Sequence, residues 1–173
     1  WAYAQNSTHA GFVNYDNDLL VELSEKIPAI YYGSKSKTQN SEPKIQGSKL
    51  DTQNPYLSIE WNNNKNNTNL VGGYNFENVM AAIVVGGYFN IEEDLIIKAL
   101  ENYLPTNNRS QYIKTDKNEV VMDAYNANPV SMSNAIHNFK NICDNNHLLI
   151  LGDMRELGNE SSNEHLEILN IIK

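Results

Sequence analysis

The stretch Asp123–Met132 constrains the fold most, because it joins a short apolar strand, Glu119–Met122, to a strongly amphipathic helix. In that helix, apolar residues recur at the spacing of one helical face, which predicts a buried stripe. The stripe consists of Met132, Ala135, Ile136, Phe139, Ile142 and Cys143. Open α/β sheets bind their ligands where a strand leads into a helix N-terminus. The pattern therefore predicts an α/β fold with a candidate site at this junction.

The junction itself carries an acid, a phenol and two carboxamides, namely Asp123, Tyr125, Asn126 and Asn128. One interpretation is an ordinary capped turn, with Asn128 or Ser131 as the N-cap and Pro129 near the first turn of the helix. The other is a ligand site, since packing alone does not explain this mixture of polar groups. The residues by themselves leave both interpretations open.

A β-α-β unit is predicted near the start of the chain. Strands at Gly11–Tyr15 and Ala29–Tyr32 flank a helix from Leu19 to Ile27, which implies a parallel strand pair with a right-handed crossover. Residues 34–49 are polar and aperiodic, and we predict a loop or loose edge structure for them.

The following segment contains a second pair of carboxamides. Leu57–Trp61 alternates like an exposed strand, and residues 62–69, which are almost all Asn, are predicted to form a hairpin tip. Asn75 and Asn78 then stand three positions apart at the start of a helix, so they share a face. Carboxamides both donate and accept hydrogen bonds, which suits the edge of an adenine ring. Ordinary N-capping by Asn75 is the alternative.

A polar linker, Thr106–Ser110, is the predicted domain boundary, giving domains 1–106 and 107–173. The helix before it, from about Ile91 to Tyr103, is predicted to turn one apolar face inward. That face consists of Leu95, Ala99, Leu100 and Tyr103. Pro105 then ends the helix.

The second half continues with a hairpin, a strand and a final helix. Gln111–Lys114 and Glu119–Met122 are predicted to pair around a four-residue turn, and His147–Leu151 is predicted to be a buried strand. Ser161 and Glu164 have the spacing of a capping box. The last helix is predicted to bury Leu166, Leu169 and Ile172 on one face.

Composition and missing motifs narrow the function. The net charge of −8 gives no general attraction to nucleic acid or to acidic membranes. The single cysteine, Cys143, lies on an apolar stripe and indicates a reducing compartment, and the four histidines have no metal-binding spacing. Gly33-Ser34-Lys35 and Gly47-Ser48-Lys49 lack the glycine spacing of a phosphate loop. No secretion signal precedes the chain and no initiator Met begins it, so we expect a cytoplasmic piece of a longer polypeptide.

Two motifs in the second half carry a family resemblance. Asp-Ala-Tyr-Asn-Ala-Asn-Pro-Val-Ser-Met at 123–132 and Leu-Gly-Asp-Met-Arg-Glu-Leu-Gly at 151–158 resemble the Mur ligases of peptidoglycan synthesis, and among them the D-alanyl-D-alanine-adding ligases. Gly73, Asn75 and Asn78 match a segment generic to the family, although Tyr74 stands where a His is usual. The motifs occur in family order, and the resemblance runs from about Gly11 to the end of the chain.

The resemblance implies a fold, a reaction and partners. It assigns residues 1–106 to the second half of the central ATPase domain and residues 107–173 to the first half of a Rossmann-like C-terminal domain. The implied reaction joins D-alanyl-D-alanine to a UDP-N-acetylmuramoyl-tripeptide through an acyl phosphate, with ATP and Mg²⁺. The family's phosphate loop, magnesium ligands and modified lysine do not occur in this chain, so we expect the chain alone to be inactive.

The resemblance also implies a role for each candidate residue. Asn75 and Asn78 would face the adenine of ATP, and Asp123 would bind its ribose hydroxyls. Arg109 matches an arginine that reaches the ATP phosphates, which makes it the candidate catalytic residue. Three further residues are candidates for binding the dipeptide or for closing the domain interface: Tyr125, Asn126 and Asn128. His165 also matches a family histidine, and we interpret it as a helix residue that packs on the preceding loop.

Two other functions remain open from the sequence. One is a non-catalytic nucleotide-binding or interaction module that keeps these surface motifs. The other is a relative of the folylpolyglutamate synthases, which share the architecture but lack the Tyr-Asn-Ala-Asn-Pro string.

Overall fold

A computed structural model describes residues 11–34, 45–50, 55–106, 108–142 and 146–173. Five α-helices and seven β-strands lie in these ranges, divided between two units. The first unit contains the described residues within 1–52, 57–68 and 74–103, and the second contains those within 53–56, 69–73 and 104–173. The chain passes into the second unit for the last time between Tyr103 and Leu104, while the domain boundary predicted at 106–107 remains a proposal.

The sheet of the first unit begins with the predicted β-α-β unit. Strand β1 (Gly11–Asn14) pairs in parallel with β2 (Ala29–Ser34), and helix α1 (Asp18–Ser24) connects them. Asn17 caps α1, because its side chain accepts a hydrogen bond of 3.2 Å from the Leu20 N–H. The β-α-β prediction is therefore confirmed.

The loop predicted at 34–49 is wrong for its second part, because Ile45–Leu50 forms strand β3. It pairs in parallel with β2 and antiparallel with β4 (Tyr56–Trp61), so polar residues are held in a strand by neighbours on both sides. Residues 35–44 of the predicted loop lie outside the described residues. The five strands follow in chain order across the sheet, and the two parallel pairs confirm the α/β class.

The hairpin tip predicted at 62–69 is only two residues long. Asn62 and Asn63 have φ angles of 53° and 62°, as a two-residue hairpin turn of the primed type requires. Strand β5 (Asn64–Val71) follows at once and alternates in burial. Thr68 is buried on it and donates a hydrogen bond of 2.9 Å to the Leu57 carbonyl.

Helix α2 (Phe76–Tyr88) covers β1, β2 and β3 and supplies much of the core of the first unit. Its fully buried residues include Val79, Met80, Ile83 and Val84. Helix α3 (Glu93–Asn102) packs on α2 through Ile96. The inward face predicted for this helix is wrong, since Leu95 and Tyr103 are each 53% exposed.

The second unit opens with the predicted hairpin of β6 (Gln111–Lys114) and β7 (Glu119–Met122), whose bounds match the prediction. Lys114 and Glu119 are cross-strand partners, with 3.0 Å between Nζ and Oε1. A hydrogen bond from the Tyr112 hydroxyl to Glu119 raises the pKa of Tyr112 to about 12. The same bond, with Lys114, lowers the pKa of Glu119.

Helices α4 (Pro129–Ile142) and α5 (Ser161–Ile172) pack against each other. Ile136, Met154 and Ile168 form the buried centre of this core, and Met132 packs against it as the stripe on α4 predicts. Cys143 of that stripe lies outside the described residues.

Three predictions fail in this unit, those of a strand, a capping box and a helix face. Residues 147–151 form no strand, and Leu148 and Ile150 are 76% and 87% exposed, because no described strand pairs with them. The capping box is also absent, since α5 begins at Ser161 after a 3₁₀ turn and its N-cap, Glu160, makes no side-chain cap bond. Helix α5 buries Ile168, while Leu166 and Leu169 are more than half exposed.

Candidate functional site

A tight turn at Asn108–Ser110 brings the linker against the end of β7. Asn108 and Ser110 both adopt left-handed backbone conformations, with φ of 57° and 48°. The Asn108 carbonyl accepts a bond of 2.7 Å from the Ala124 N–H, and the Ser110 N–H donates to Asp123 Oδ1 at 3.3 Å. Non-glycine residues with positive φ are uncommon and concentrate at functional positions. The turn therefore fixes the residue between them, Arg109, next to residues 123–125.

Arg109 is stacked on an aromatic ring. Its guanidinium carbon, Cζ, lies 3.7 Å from the centroid of the Tyr125 ring, which is cation–π geometry. Both side chains are exposed, Tyr125 by 59%. Among the described residues Arg109 forms no ion pair with a carboxylate, so its charge is not neutralised by a neighbour.

Asp123 is exposed and follows directly after the last residue of β7. Its carboxylate is oriented by the backbone N–H of Ser110, which is itself buried at 4% exposure. The Ser110 carbonyl in turn accepts a bond of 3.4 Å from the Val71 N–H. Ser110 could not be predicted from the sequence, since a serine in a polar linker does not indicate a left-handed conformation.

Asn128 caps helix α4. Its Oδ1 accepts a bond of 2.9 Å from the Ser131 N–H, and Ser131 Oγ accepts one of 3.2 Å from the Asn128 N–H. This reciprocal pair has the pattern of a capping box, and Pro129 occupies the first helical position. The capped-turn interpretation is thus confirmed for Asn128, and its role toward a dipeptide stays a prediction. Asn126 is exposed, and its carbonyl accepts a longer bond of 3.4 Å from Ser131 Oγ.

Asn75 and Asn78 belong to the first unit, where they bond to each other. Asn78 Nδ2 donates to Asn75 Oδ1 at 3.2 Å, with Asn75 buried and Asn78 exposed. Asn75 stands at the N-cap position of α2 but makes no side-chain cap bond. N-capping therefore does not explain Asn75, and its carboxamide is held by its neighbour instead.

His165 on α5 holds the loop before that helix, as its interpretation from sequence predicts. Its Nδ1 lies 2.7 Å from the Ser161 carbonyl, so Nδ1 carries the proton of that bond. Its Nε2 lies 2.9 Å from Asp153 Oδ1 and 3.2 Å from the Met154 backbone nitrogen. His165 thus connects the first turns of α5 to residues 153–154 through hydrogen bonds.

The second unit brings together Arg109, Asp123 and Tyr125, with Asn126 and Asn128 directly downstream. The described residues contain no group of three or more His, Cys, Asp or Glu side chains placed to hold a metal ion. No helix in the described ranges has the length and apolar character that a membrane span requires.

Comparison with known proteins shows which family the chain resembles. Residues 108–173 match the family described as Mur ligase, glutamate ligase domain. A UDP-N-acetylmuramoyl-tripeptide–D-alanyl-D-alanine ligase from Bacillus subtilis is 39% identical over 100 residues, which cover 57% of this chain and 22% of the relative. The ligase of the same name from Buchnera aphidicola is 30% identical over 158 residues, 88% of this chain and 31% of the relative. The chain thus spans less than a third of the length of either relative.

Solved structures show the same fold. A MurF structure from Acinetobacter baumannii superposes with a TM-score of 0.72 at 21% identity, covering 91% of this chain and 34% of that one. The MurF ligase from Thermotoga maritima in complex with ADP superposes with a TM-score of 0.67 at 18% identity, covering 98% of this chain and 39% of that one. The α/β fold predicted from the motifs is therefore that of the Mur ligases.

Proposed function

The chain belongs to the Mur ligase family, and from this premise we propose that it forms part of an ATP-dependent ligase of peptidoglycan precursor synthesis. The proposed ligase adds D-alanyl-D-alanine to a UDP-N-acetylmuramoyl-tripeptide. Support for this substrate pair comes from the string at 123–132, from its partner at 151–158, and from the relatives that carry the same name.

The proposed reaction has two steps. A tripeptide carboxylate attacks the γ-phosphate of ATP to give an acyl phosphate and ADP, and the amine of D-alanyl-D-alanine then displaces phosphate to form the amide. Phosphoryl transfer of this kind depends mainly on positioning and on neutralisation of charge, so the protein's task is to hold fixed cations and donors at the phosphates.

Arg109 is the residue that carries the proposal. Its guanidinium is exposed, fixed by a tight turn and not neutralised by a carboxylate among the described residues. A planar guanidinium can donate two parallel hydrogen bonds to phosphate oxygens. We assign to Arg109 the binding of the ATP phosphates and the neutralisation of the charge that develops on them.

Asp123 fits the ribose of ATP by the chemistry of its donor set. A carboxylate accepts hydrogen bonds from two neighbouring hydroxyls, and this one stands at a strand end, held by the Ser110 N–H. The carboxamides of Asn75 and Asn78, fixed by their mutual bond, offer donors and acceptors of the kind that read an adenine edge. Mg²⁺ is assigned to ligands outside this chain, and it would supply positive charge that neutralises the phosphates.

Tyr125, Asn126 and Asn128 are proposed to lie near the incoming dipeptide or at the surface that closes over it. Asn128 has its oxygen committed to the cap of α4, so its Nδ2 group is the part proposed to contact a substrate. Asn126 lies between the stacked Tyr125 and the cap, and it is exposed.

The test is made in the ligase that contains these residues. Arg109→Ala is expected to lower kcat for ligation by about 100-fold, the usual loss when one donor to a developing charge is removed. Arg109→Lys keeps the charge but loses the two-pronged geometry, and it is expected to fall between the wild type and Arg109→Ala. Lys117→Ala, which removes a positive charge from the exposed tip of the β6–β7 hairpin, is the matched control.

Two results would overturn the proposal. Unchanged turnover in Arg109→Ala would remove the role of that residue. A wild-type ligase that joins D-glutamate or L-alanine faster than D-alanyl-D-alanine would show that the substrate assignment is wrong. Binding of ATP without turnover of any acceptor would instead favour the non-catalytic module.

A further inference from the structure

The contact between Arg109 and Tyr125 is not explained by packing. Tyr125 is 59% exposed, and it is absent from the core formed around Ile136, Met154 and Ile168. Its ring nevertheless lies directly beneath the guanidinium, with 3.7 Å between Cζ and the ring centroid. An exposed tyrosine that only filled surface would have no reason to take this position.

We propose that Tyr125 is a positioning residue for Arg109, and that it acts through the face of its ring rather than through its hydroxyl. The inference rests on the phosphate-binding role proposed above for Arg109. It gives Tyr125 a more specific task than the dipeptide-binding role expected from the sequence.

The geometry explains how the ring acts. The ring face is attracted to the cation by its quadrupole, which restricts the long arginine side chain before any ligand arrives. The N–H donors of a guanidinium lie in its plane, so stacking covers its face and leaves its edge available. Arg109 is therefore prepared to donate to an anion with less loss of side-chain freedom on binding.

The backbone keeps the two residues in register without help from the stack. The Ala124 N–H donates to the Asn108 carbonyl, and the Ser110 N–H donates to Asp123. Asn108 and Ser110 flank Arg109, while residues 123 and 124 directly precede Tyr125. Substitution of the Tyr125 ring should therefore release the Arg109 side chain while the turn at 108–110 stays in place. This separation makes the proposal testable.

The first measurement uses the 173-residue chain and needs no activity. The sequence contains only two arginines, Arg109 and Arg155, so their Nε–H signals in a ¹H–¹⁵N NMR spectrum are readily assigned with Arg109→Lys. We expect the Arg109 Nε–H signal to be shifted upfield by the ring in the wild type and in Tyr125→Phe. In Tyr125→Leu it should return to the position of an unstacked arginine, while the Arg155 signal stays unchanged as an internal reference.

The second measurement is a double-mutant cycle in the ligase that contains these residues. Tyr125→Leu is expected to lower kcat/KM for ATP about two- to fivefold, the range for an exposed cation–π contact, with KM for D-alanyl-D-alanine unchanged. Tyr125→Phe keeps the ring face, so it is expected to lower kcat/KM for ATP less than Tyr125→Leu does. In an Arg109→Ala background Tyr125→Leu should have no further effect, because it acts through that arginine. Tyr103→Leu, which removes a tyrosine of similar exposure from the end of α3, is the control.

The outcomes separate this inference from the proposed function. An Arg109 signal that is the same in Tyr125→Leu and the wild type would overturn the positioning role, whatever the kinetics show. A loss in Tyr125→Phe as large as in Tyr125→Leu would also overturn it, because it would point to the hydroxyl. A change confined to KM for the dipeptide would overturn it as well, because it would point to a direct contact with that substrate. If Arg109→Ala alone leaves turnover unchanged, the phosphate-binding role fails, and the NMR result still decides whether Tyr125 fixes Arg109.

Discussion

Substitution of Asn128 separates the capping role seen in the structure from the substrate role expected from the family. Asn128→Ala removes the bond of 2.9 Å from the Ser131 N–H to Oδ1 and leaves the bond from the Asn128 N–H to Ser131 Oγ. One N–H in the first turn of α4 then has only water as a partner. We expect the free energy of unfolding to fall by about 1 kcal/mol. For a domain of 60–100 residues this corresponds to a melting temperature lower by about 4–8 °C.

Asn128→Asp is the matched variant. A carboxylate accepts the same bond from the Ser131 N–H and also complements the positive end of the helix dipole, so stability should equal or exceed that of the wild type. Urea unfolding followed by circular dichroism measures both variants in the 173-residue chain. A wild-type stability in Asn128→Ala would refute the capping argument. If the carboxamide Nδ2 also contacts the dipeptide, Asn128→Asp in the ligase should stay stable and raise KM for D-alanyl-D-alanine.

Three further predictions concern the nucleotide, the core and the isolated chain. Asp123→Asn in the ligase should weaken ATP binding roughly ten- to a hundredfold, because the proposed charge-assisted bonds to the ribose are lost. An oxygen remains to accept the bond from the Ser110 N–H. An unchanged Kd for ATP in titration calorimetry, together with reduced stability, would contradict this prediction. Gly47→Ala should cost about 1–3 kcal/mol in urea unfolding, since its Cβ would lie 2.7 Å from Met80 Sδ and 3.1 Å from the Glu60 carbonyl oxygen. Gly87→Ala, whose Cβ meets nothing within 4 Å, should be neutral or stabilising, and equal losses at both glycines would refute the packing argument. The purified 173-residue chain should not hydrolyse ATP, because it contains no phosphate loop, and phosphate release above a blank preparation would show otherwise.

The elements that could be predicted from the sequence are those specified by nearby residues. The β6–β7 hairpin has its turn fixed within four residues, where Thr115 Oγ1 accepts a bond of 2.9 Å from the Asn118 N–H. The helix of the β-α-β unit lies between the capping Asn17 and Pro28. Strand β3, in contrast, has the polar sequence Ile-Gln-Gly-Ser-Lys-Leu and owes its conformation to strands on both sides. No local pattern contains that information.

The buried faces of helices α3 and α5 were predicted wrongly for a related reason. In α5 the apolar residues occupy more than one side, and the sequence does not show which side meets the core; Ile168 is buried while Leu166 and Leu169 are not. In α3 the regular spacing of Leu95 and Tyr103 predicts the wrong face, since these two residues are exposed and Ile96 is buried. Periodicity identifies that a helix is amphipathic, and only packing against a partner selects between two apolar faces.

The residues of the candidate site were proposed from the sequence, whereas their geometry could not be predicted from it. Arg109 and Asp123 were identified through a family resemblance, and each would be unremarkable surface without it. Their arrangement depends on left-handed conformations at Asn108 and Ser110, for which neither residue type is a reliable signal. The stack of Arg109 on Tyr125 joins residues far apart in the sequence, so it follows only from the turn that brings them together.

Among the described residues, Arg109 contacts an aromatic ring and not a carboxylate, although the chain has a net charge of −8. The sequence contains 21 acidic residues against 13 lysines and arginines, so a carboxylate partner for an arginine would be the ordinary outcome. A salt bridge would fix the side chain but would also neutralise its field, and a triphosphate would then have to displace the carboxylate. A ring face restricts the guanidinium and leaves its charge intact. The nearby carboxylate of Asp123 is held instead by the Ser110 backbone N–H. The carboxylate and the guanidinium are thus held by different partners within one turn, as the proposed binding of a ribose and a phosphate of the same nucleotide would require.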